Sequence, residues 1–508
     1  MKDNMRFAVK DTLTEEEIQK GLRSVIKDGL ASQTMVTLTG GVFLVAFALK
    51  LGASNTIIGL LAAIPPLAQL VQIPAIYLIE KYRVRRAICV YAAASSRIFW
   101  LFIALIPFLF SIEAGLTFLI VALFLYAAFG AIGSSSWNPW MRDLLPQDRL
   151  GAFFSKRMSL AAGLSIPLSI AAGFYIDYWK KLFPDYELYG YSILFFFGFL
   201  AGMVGVYFIS TIPEPRMAPV EEKTKIFKLI LQPFKDANFK NLIMFLGSWN
   251  FAVNLAAPFF TVYMLKRLQL DMSFIIALMV LSQLTSLAFL RIWGKFSDRF
   301  SNKSVLGVSG PLFIVCILAW TFTTLPEKYI LTIPLLIAIH IFMGISTAGV
   351  TLASGNIGLK LAPKGQATTY LAANSLVNSL AAGIAPVLGG RFADFFAGRE
   401  LWMELGWESP ARVLVIPTLN FQQWDFFFFL AFLIGLYSIH RLAMVKETGE
   451  VKEEIVAREL ISEVKRPIRN FSTAGGLRQM VQFPFSVVKP LKKRNDLIRE
   501  RIIKRKKP

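Results

Sequence analysis

The stretch GKFSDRFSNK, Gly294 to Lys303, sets a glycine one helical turn before an aspartate, with an arginine directly after it. A glycine at that spacing lets a neighbouring helix approach closely, and Asp298 can then meet the positive start of an adjoining helix or an arginine from another loop. The chemistry on offer is reversible ion pairing, with Arg142, Arg157 or the start of the fifth predicted span as partners of Asp298. The alternative is that Asp298 and Arg299 only fix topology. Asp177 in GFYIDYW and Asp394 in GRFADFF are carboxylates at helix ends, each flanked by aromatics. Such a pair suits an outer gate or a helix-end anchor better than a proton relay. Arg97 is a cation in mid-span, where an arginine costs about 2.5 to 3.5 kcal/mol and therefore needs partners. Carbonyls or polar groups on the second span are the expected ones, and a substrate anion is the alternative. No carboxylate is expected in mid-span, which leaves His340 as the titratable candidate for proton coupling, set against a packing histidine.

Covalent chemistry finds no support. The two histidines fall in neither a HExxH nor an H-x-E…CxxC pattern, and no Walker loop or GxSxG is present. An enzyme, a metal site and a cofactor are not expected. Cys89 and Cys316 both lie inside apolar spans, so there is no disulfide framework to read.

The elements that carry these residues are membrane helices. Of 508 residues 55% are hydrophobic, 45 are phenylalanine, and the mean hydropathy is +0.55. Soluble domains carry far more polar surface. A helix crossing about 30 Å of hydrocarbon needs about 20 apolar residues. Charge-poor stretches of that size lie near 30–50, 55–79, 87–109, 115–138, 158–177, 191–212, 241–265, 272–291, 305–325, 329–354, 367–389 and 424–443. Twelve spans put both ends of the chain on one side. With the N-terminus inside, the inner segments outside the tail hold 26 lysines and arginines against 8 in the outer loops, so both termini are expected to be cytoplasmic in a cell (inner) membrane. Five segments follow: a cytoplasmic amphipathic lead at 1–29, where Thr14 and Glu17 suit a capping box; a six-helix bundle at 30–212; a linker at 213–240; a second bundle at 241–444; and a basic tail at 445–508. The net charge of +21 is spread over inner loops and tail rather than gathered in a folded domain. Nucleic acid is therefore not the expected partner, and anionic lipid at the tail is.

The two bundles repeat each other. Pro146 and Pro363, Gly173 and Gly390, and Asp177 and Asp394 are each 217 residues apart. The opening stretch has its own counterpart in YLIEKYRVRR, where Glu80 and Lys81 stand opposite Asp298 and Arg299. Over roughly residues 25 to 445 the chain resembles the major facilitator superfamily, whose G-x-x-x-D-R/K signature is matched by Gly294, Asp298 and Arg299. The first copy departs from it, with Ile76 and Glu80 in place of the glycine and aspartate. The family's arginine on helix four is absent, and the exporter-like APVLGG, Ala385 to Gly390, lies in the other half from its usual place.

The resemblance implies an all-α integral membrane protein of twelve transmembrane helices in two pseudo-symmetric six-helix halves, active as a monomer. It also implies that Asp298 and Glu80 hold the halves together on the cytoplasmic side when the transporter opens outward, with Lys360 or Lys364 as partners of Glu80. Substrate contacts are expected from helices 1, 4, 7 and 10. Those helices offer Gln33 and Thr37, Tyr126, Trp249 with Asn250 and Asn254, and His340 with Thr347. Polar groups on helices also serve as interhelical glue, and Gln69 and Gln72 on helix two and Asn374 and Asn378 on helix eleven rank lower as contacts because those helices flank the cavity. The expected function is a secondary transporter moving a small organic solute by alternating access, with proton coupling as one option. An exporter of amphipathic or drug-like compounds and a non-transporting scaffold or sensor are the alternatives.

Overall fold

A computed structural model describes residues 9–145, 150–217, 232–324, 327–363, 367–410 and 412–471. Among these residues twelve helices are long and apolar enough to cross a membrane: α1 (Glu15–Lys50), α2 (Asn55–Tyr82), α3 (Arg85–Ala104), α4 (Ile112–Leu144), α5 (Phe153–Leu182), α6 (Pro184–Ser210), α7 (Ala237–Arg267), α8 (Met272–Arg299), α9 (Asn302–Phe322), α10 (Thr332–Leu361), α11 (Thr369–Phe395) and α12 (Trp424–Ala443). A further helix, α13 (Glu453–Phe471), follows them.

The first helix begins earlier than expected. Thr14 and Glu17 do form a capping box, with Glu17 N donating to Thr14 Oγ1 at 3.3 Å and Thr14 N to Glu17 Oε2 at 3.1 Å. From there α1 continues through the segment read as a separate lead and bends only at Gly40 and Gly41, where the φ of 56° at Gly41 favours glycine. As a consequence Asp28 lies inside the bundle, 3% exposed. The expectation of no buried carboxylate in a span is thereby corrected.

The halves α1–α6 and α7–α12 pack alike. In the first, α1 lies on α5 and α6, and α3 on α4 and α6; in the second, α7 lies on α11 and α12, and α9 on α10 and α12. Two crossed pairs join the halves, α2 with α11 and α5 with α8. Glycines allow these joints. A Cβ at Gly59 would run into the Pro386 carbonyl, one at Gly390 into the Asn55 backbone, and one at Gly173 would lie 2.7 Å from Ile276 Cδ1 and 3.2 Å from Ser273 Cα.

All these contacts lie on one side of the bundle, where Asp177 and Asp394 act as clasps. Asp177 accepts from Met272 N at 2.9 Å and Ser273 N at 2.8 Å, the first residues of α8. Asp394 accepts from Asn55 N at 3.1 Å, Thr56 N at 2.8 Å and the side chains of both, at the start of α2. Each carboxylate thus satisfies N–H groups that a helix start leaves open, and it sits at the positive end of that helix. Donors and acceptors alike are 217 residues apart between the two clasps.

This side also carries a two-stranded hairpin that the sequence reading did not contain, β1 (Glu400–Ser409) antiparallel to β2 (Arg412–Gln422). It pairs Leu401 with Phe421 and Trp407 with Leu414, with a register shift between Met403 and Glu404. We call this the hairpin side and the opposite one the tail side.

On the tail side each half is tied by a buried glutamate from the chain leaving its sixth helix. Glu214, 1% exposed, accepts from Arg85 N at 2.7 Å and Arg86 N at 3.0 Å at the start of α3. Glu447, 5% exposed, accepts from Lys303 N at 2.7 Å and Asn302 Nδ2 at 3.0 Å at the start of α9, and pairs with Lys360 at 2.8 Å. The tail then stays on the bundle. Lys303 bonds Glu450 at 2.8 Å, Arg299 pairs with Glu459 at 2.8 Å, and Val456 is fully buried. The bond from Lys303 holds the Glu450 carboxyl below its ordinary value. Its stabilising effect is therefore present at neutral pH and is lost as pH falls through that lowered value. The basic end of the tail, 472–508, lies outside the described residues.

Two outcomes are expected. Replacing both clasps, Asp177→Asn with Asp394→Asn, removes charge-assisted bonds of about 2 kcal/mol each. Spin labels at Lys180 and Lys266, on the two halves of the hairpin side, should then move apart in electron paramagnetic resonance distance measurements. An unchanged distribution would deny the clasps a holding role. Separately, Glu447→Ala leaves Lys360 and the start of α9 without their acceptor and should lower stability by about 3 kcal/mol, read as a lower unfolding temperature in detergent together with earlier proteolysis of the tail.

Candidate functional site

Between the halves, two cavities lie at the tail-side parts of the helices and share Gln69 of α2. The first, about 400 Å³, is enclosed by the first half: Asp28, Arg97, Tyr126, Ser134, Trp137 and Arg157 supply its polar and aromatic lining. The second, about 500 Å³, lies between α2 and the second half, with Asn250, Ser354, Asn374 and Asn378 among its lining. Pro65 and Pro66 sit within α2 just before Gln69, and a 3₁₀ turn at Gln69–Val71 follows them. That break turns α2 away from α11, so contact on the hairpin side gives way to a cleft on the tail side.

Charge in the first cavity is concentrated on three side chains. Arg97, 7% exposed, donates from Nη1 to the Gly202 carbonyl at 2.6 Å and from Nη2 to Ser32 Oγ at 2.8 Å, with Asp28 Oδ1 at 3.5 Å. Asp28 also accepts from Ser32 Oγ at 3.0 Å and stands 3.6 Å from Arg157 Nη2. A carbonyl, that of Gly202 on α6, does hold Arg97, as expected, but its side-chain partners, Ser32 and Asp28, come from α1 rather than from the second helix. Gly202 and Gly205 make this possible: a Cβ at either would lie within 3.2 Å of the Arg97 side chain. Arg157 donates from Nε to the Val25 carbonyl at 3.3 Å and lies over the Trp137 ring at 5.2 Å.

The second cavity is lined by neutral polar groups. Asn250 donates to the Leu246 carbonyl of its own helix at 2.8 Å. Ser354 Oγ, Asn374 Oδ1 and Asn378 Oδ1 are buried atoms without a hydrogen-bond partner. In a site of this size such atoms are places for a solute or for water to bond.

Other expected pathway residues are placed differently. Gln33 and Thr37 contact each other at 3.5 Å, and Thr37 bonds Ser165 of α5 at 3.1 Å, so they act as glue between α1 and α5. Asn254 donates to the Asn250 carbonyl at 2.8 Å. Trp249 is 5% exposed and packs on Phe313 at 5.6 Å inside the second half. His340, 6% exposed, is bonded through Nδ1 to the Leu336 carbonyl at 2.8 Å and packed against Trp320 at 5.6 Å. Neither Trp249 nor His340 lines either cavity. Thr347 is exposed on the stripe of α10 that carries Ser354 two turns further on.

The tail-side gate residues stand apart. Asp298, Glu80, Lys81 and Arg142 are exposed. Arg299 is engaged with Glu459, Arg157 with Asp28, and Lys360 with Glu447; Lys364 lies outside the described residues. The pairings of Asp298 with Arg157 and of Glu80 with Lys360 are therefore not made in this conformation, because the halves diverge here. Gly294 makes no close helix approach either: a Cβ there would meet Leu352 Cδ1 at an ordinary 3.8 Å. With clasps closed on the hairpin side and a cleft on the tail side, the conformation is open toward the tail side.

Sequence reasoning missed Asp28 and ranked Gln69, Asn374 and Asn378 below the residues of helices 1, 4, 7 and 10. For the last two a signal existed, since asparagines four apart in an apolar helix share a face.

The sequence matches the family model of the Major Facilitator Superfamily over residues 29–386 and 242–476. No curated protein sequence matches it significantly. Among solved structures it is similar to the nucleoside transporter NupG, with a TM-score of 0.59 at 13% identity over 86% of this chain and 100% of that one. A POT family transporter in complex with a thioalcohol-conjugated peptide gives 0.58 at 11% over 84% and 98%. A bacterial homologue of the human lysosomal transporter Spinster, inward-facing and unoccupied, gives 0.53 at 13% over 85% and 95%. At these identities the likeness is one of fold. From the family match, the chain belongs to the major facilitator superfamily of secondary transporters.

Proposed function

We propose that the protein carries a small polar organic solute across the cell membrane by alternating access, with its tail side in the cytoplasm. The observation that carries this reading is the second cavity, whose lining includes Ser354, Asn374 and Asn378, each with a buried oxygen that has no hydrogen-bond partner. An exporter of amphipathic compounds would be served by an apolar lining, so the polar reading is preferred. Two of the fold neighbours, a nucleoside transporter and a transporter in complex with a conjugated peptide, handle molecules rich in hydrogen-bonding groups, which agrees with it.

In this scheme the clasps at Asp177 and Asp394 close the outer side while solute exchanges with the cytoplasm. Reversal parts the clasps and brings Asp298 and Glu80, now exposed, against the opposite half. Proton coupling, where it operates, runs through Asp28 rather than His340. Asp28 is the acidic residue that lines the cleft among the described residues, and it faces Arg97 of α3, Arg157 of α5 and Gly205 of α6.

Uptake by proteoliposomes, scored by mass spectrometry over a library of polar metabolites, tests the reading. At least one polar solute should enter, Asn374→Leu with Asn378→Leu should abolish its entry, and Asp298→Lys should slow it by about tenfold or more. Deleting 472–508, a cut that spares Glu447 and α13, should leave uptake intact. Loss of every uptake signal in the intact protein would favour the scaffold, and a preference for apolar amphiphiles would favour the exporter. For coupling, Asp28→Asn should lose accumulation driven by a pH gradient while keeping counterflow, and His340→Gln should keep both. The opposite pattern would return coupling to His340.

A further inference from the structure

The first cavity carries more positive than negative charge. Its charged lining consists of Arg97, Arg157 and Asp28, so two guanidinium groups share one carboxylate. The two arginines are not equivalent. Both Nη atoms of Arg97 are engaged, by the Gly202 carbonyl at 2.6 Å and by Ser32 Oγ at 2.8 Å. Arg157 uses only Nε, on the Val25 carbonyl at 3.3 Å, and its Nη2 is 3.6 Å from Asp28, too far for a hydrogen bond. Among the described residues neither Nη atom of Arg157 meets an acceptor at bonding distance. The side chain is 23% exposed, and its Cζ lies over the Trp137 ring, 5.2 Å from the centroid. What remains open is the donor edge, in a cavity whose further wall near Tyr126 is made of small residues, Ala127, Gly130 and Ala131.

An excess positive charge in a low-dielectric cavity is unfavourable, and a guanidinium edge whose two Nη atoms make no hydrogen bond among the described residues, only the 3.6 Å ion pair to Asp28, matches a carboxylate in a bidentate arrangement. Resting on the transport reading above, we propose that Arg157 is the anion-binding residue of this cavity and that the transported solute is a small organic carboxylate. Its single negative charge cancels the single excess positive charge. A phosphate monoester, with a charge of about −1.5 to −2 at neutral pH, would overcompensate it. The donor groups of the same solute then reach the unpartnered acceptors of Asn374 and Asn378 across the cleft.

Binding measured without transport tests this separately. The full-length protein in nanodiscs is heated with matched probes at millimolar concentration: benzoate and benzamide, lactate and lactamide, and phenyl phosphate. The acids should raise the unfolding temperature and the amides should not. Arg157→Gln should weaken acid binding at least tenfold, and Arg157→Lys, which restores the charge but not the fork, should recover part of it. Asp28→Asn removes the competing carboxylate and should bind the acids at least as tightly as the native chain. The proposal is overturned if no acid stabilises the protein, if amides act as well as acids, if phenyl phosphate outperforms benzoate, or if a folded Arg157→Gln binds acids unchanged. Acid binding by a protein that moves nothing in proteoliposomes would sink the transport reading and leave the anion site standing.

Discussion

A helix start exposes backbone N–H groups that its own first turn cannot bond, and near a bilayer core those groups need acceptors from protein. Among the described residues, four helix starts meet that demand with a carboxylate from elsewhere in the chain, and the source of the carboxylate decides what each contact does. At α2 and α8 it comes from the opposite half, through Asp394 and Asp177, so satisfying the N–H groups also ties the halves together. At α3 and α9 it comes from the same half, through Glu214 and Glu447. Those two contacts tie each half to itself. The first two define the seam along which the halves part.

This division of labour explains why the cleft opens where it does. On the hairpin side, glycines at 59, 173 and 390 let backbones meet across the seam. On the tail side the prolines of α2 turn the helix, no clasp spans the seam, and the charges of the signature loop stay with their own half and its tail. Arg299 and Lys303 are held by Glu459 and Glu450. The tail is thus an integral part of the second half as far as α13.

The framework is symmetric, but the lining of the cleft is not. The first half concentrates charge around Asp28, with Arg97 fixed and Arg157 loosely held; the second half offers amides and a hydroxyl. Repeated helix ends give the two halves a common frame, while the unlike linings put charge in one cavity and neutral hydrogen-bonding groups in the other. Charges in the first cavity are tolerable because Ser32 and the Gly202 carbonyl supply bonds that water would otherwise provide.

The sequence by itself determined the twelve spans, the repeat at 217 residues, the capping box at Thr14 and the family, because each rests on local composition or on spacing along one chain. It also brought out Asp177 and Asp394, since a carboxylate recurring at one offset at helix ends has few explanations. The rest was a matter of neighbours. Asp28 reads as part of a polar lead because charged residues surround it in sequence; only the packing of α1 against α5 and α6 makes it the partner of Arg97 and Arg157. His340 and Trp249 sit on helices that can line a cleft, but a helix has several faces, and contact with Trp320 and Phe313 turned these two inward. Asp298 carries the clearest motif in the chain and yet meets no partner among the described residues, because pairing across the seam depends on which side is closed, and that is a property of the tertiary state.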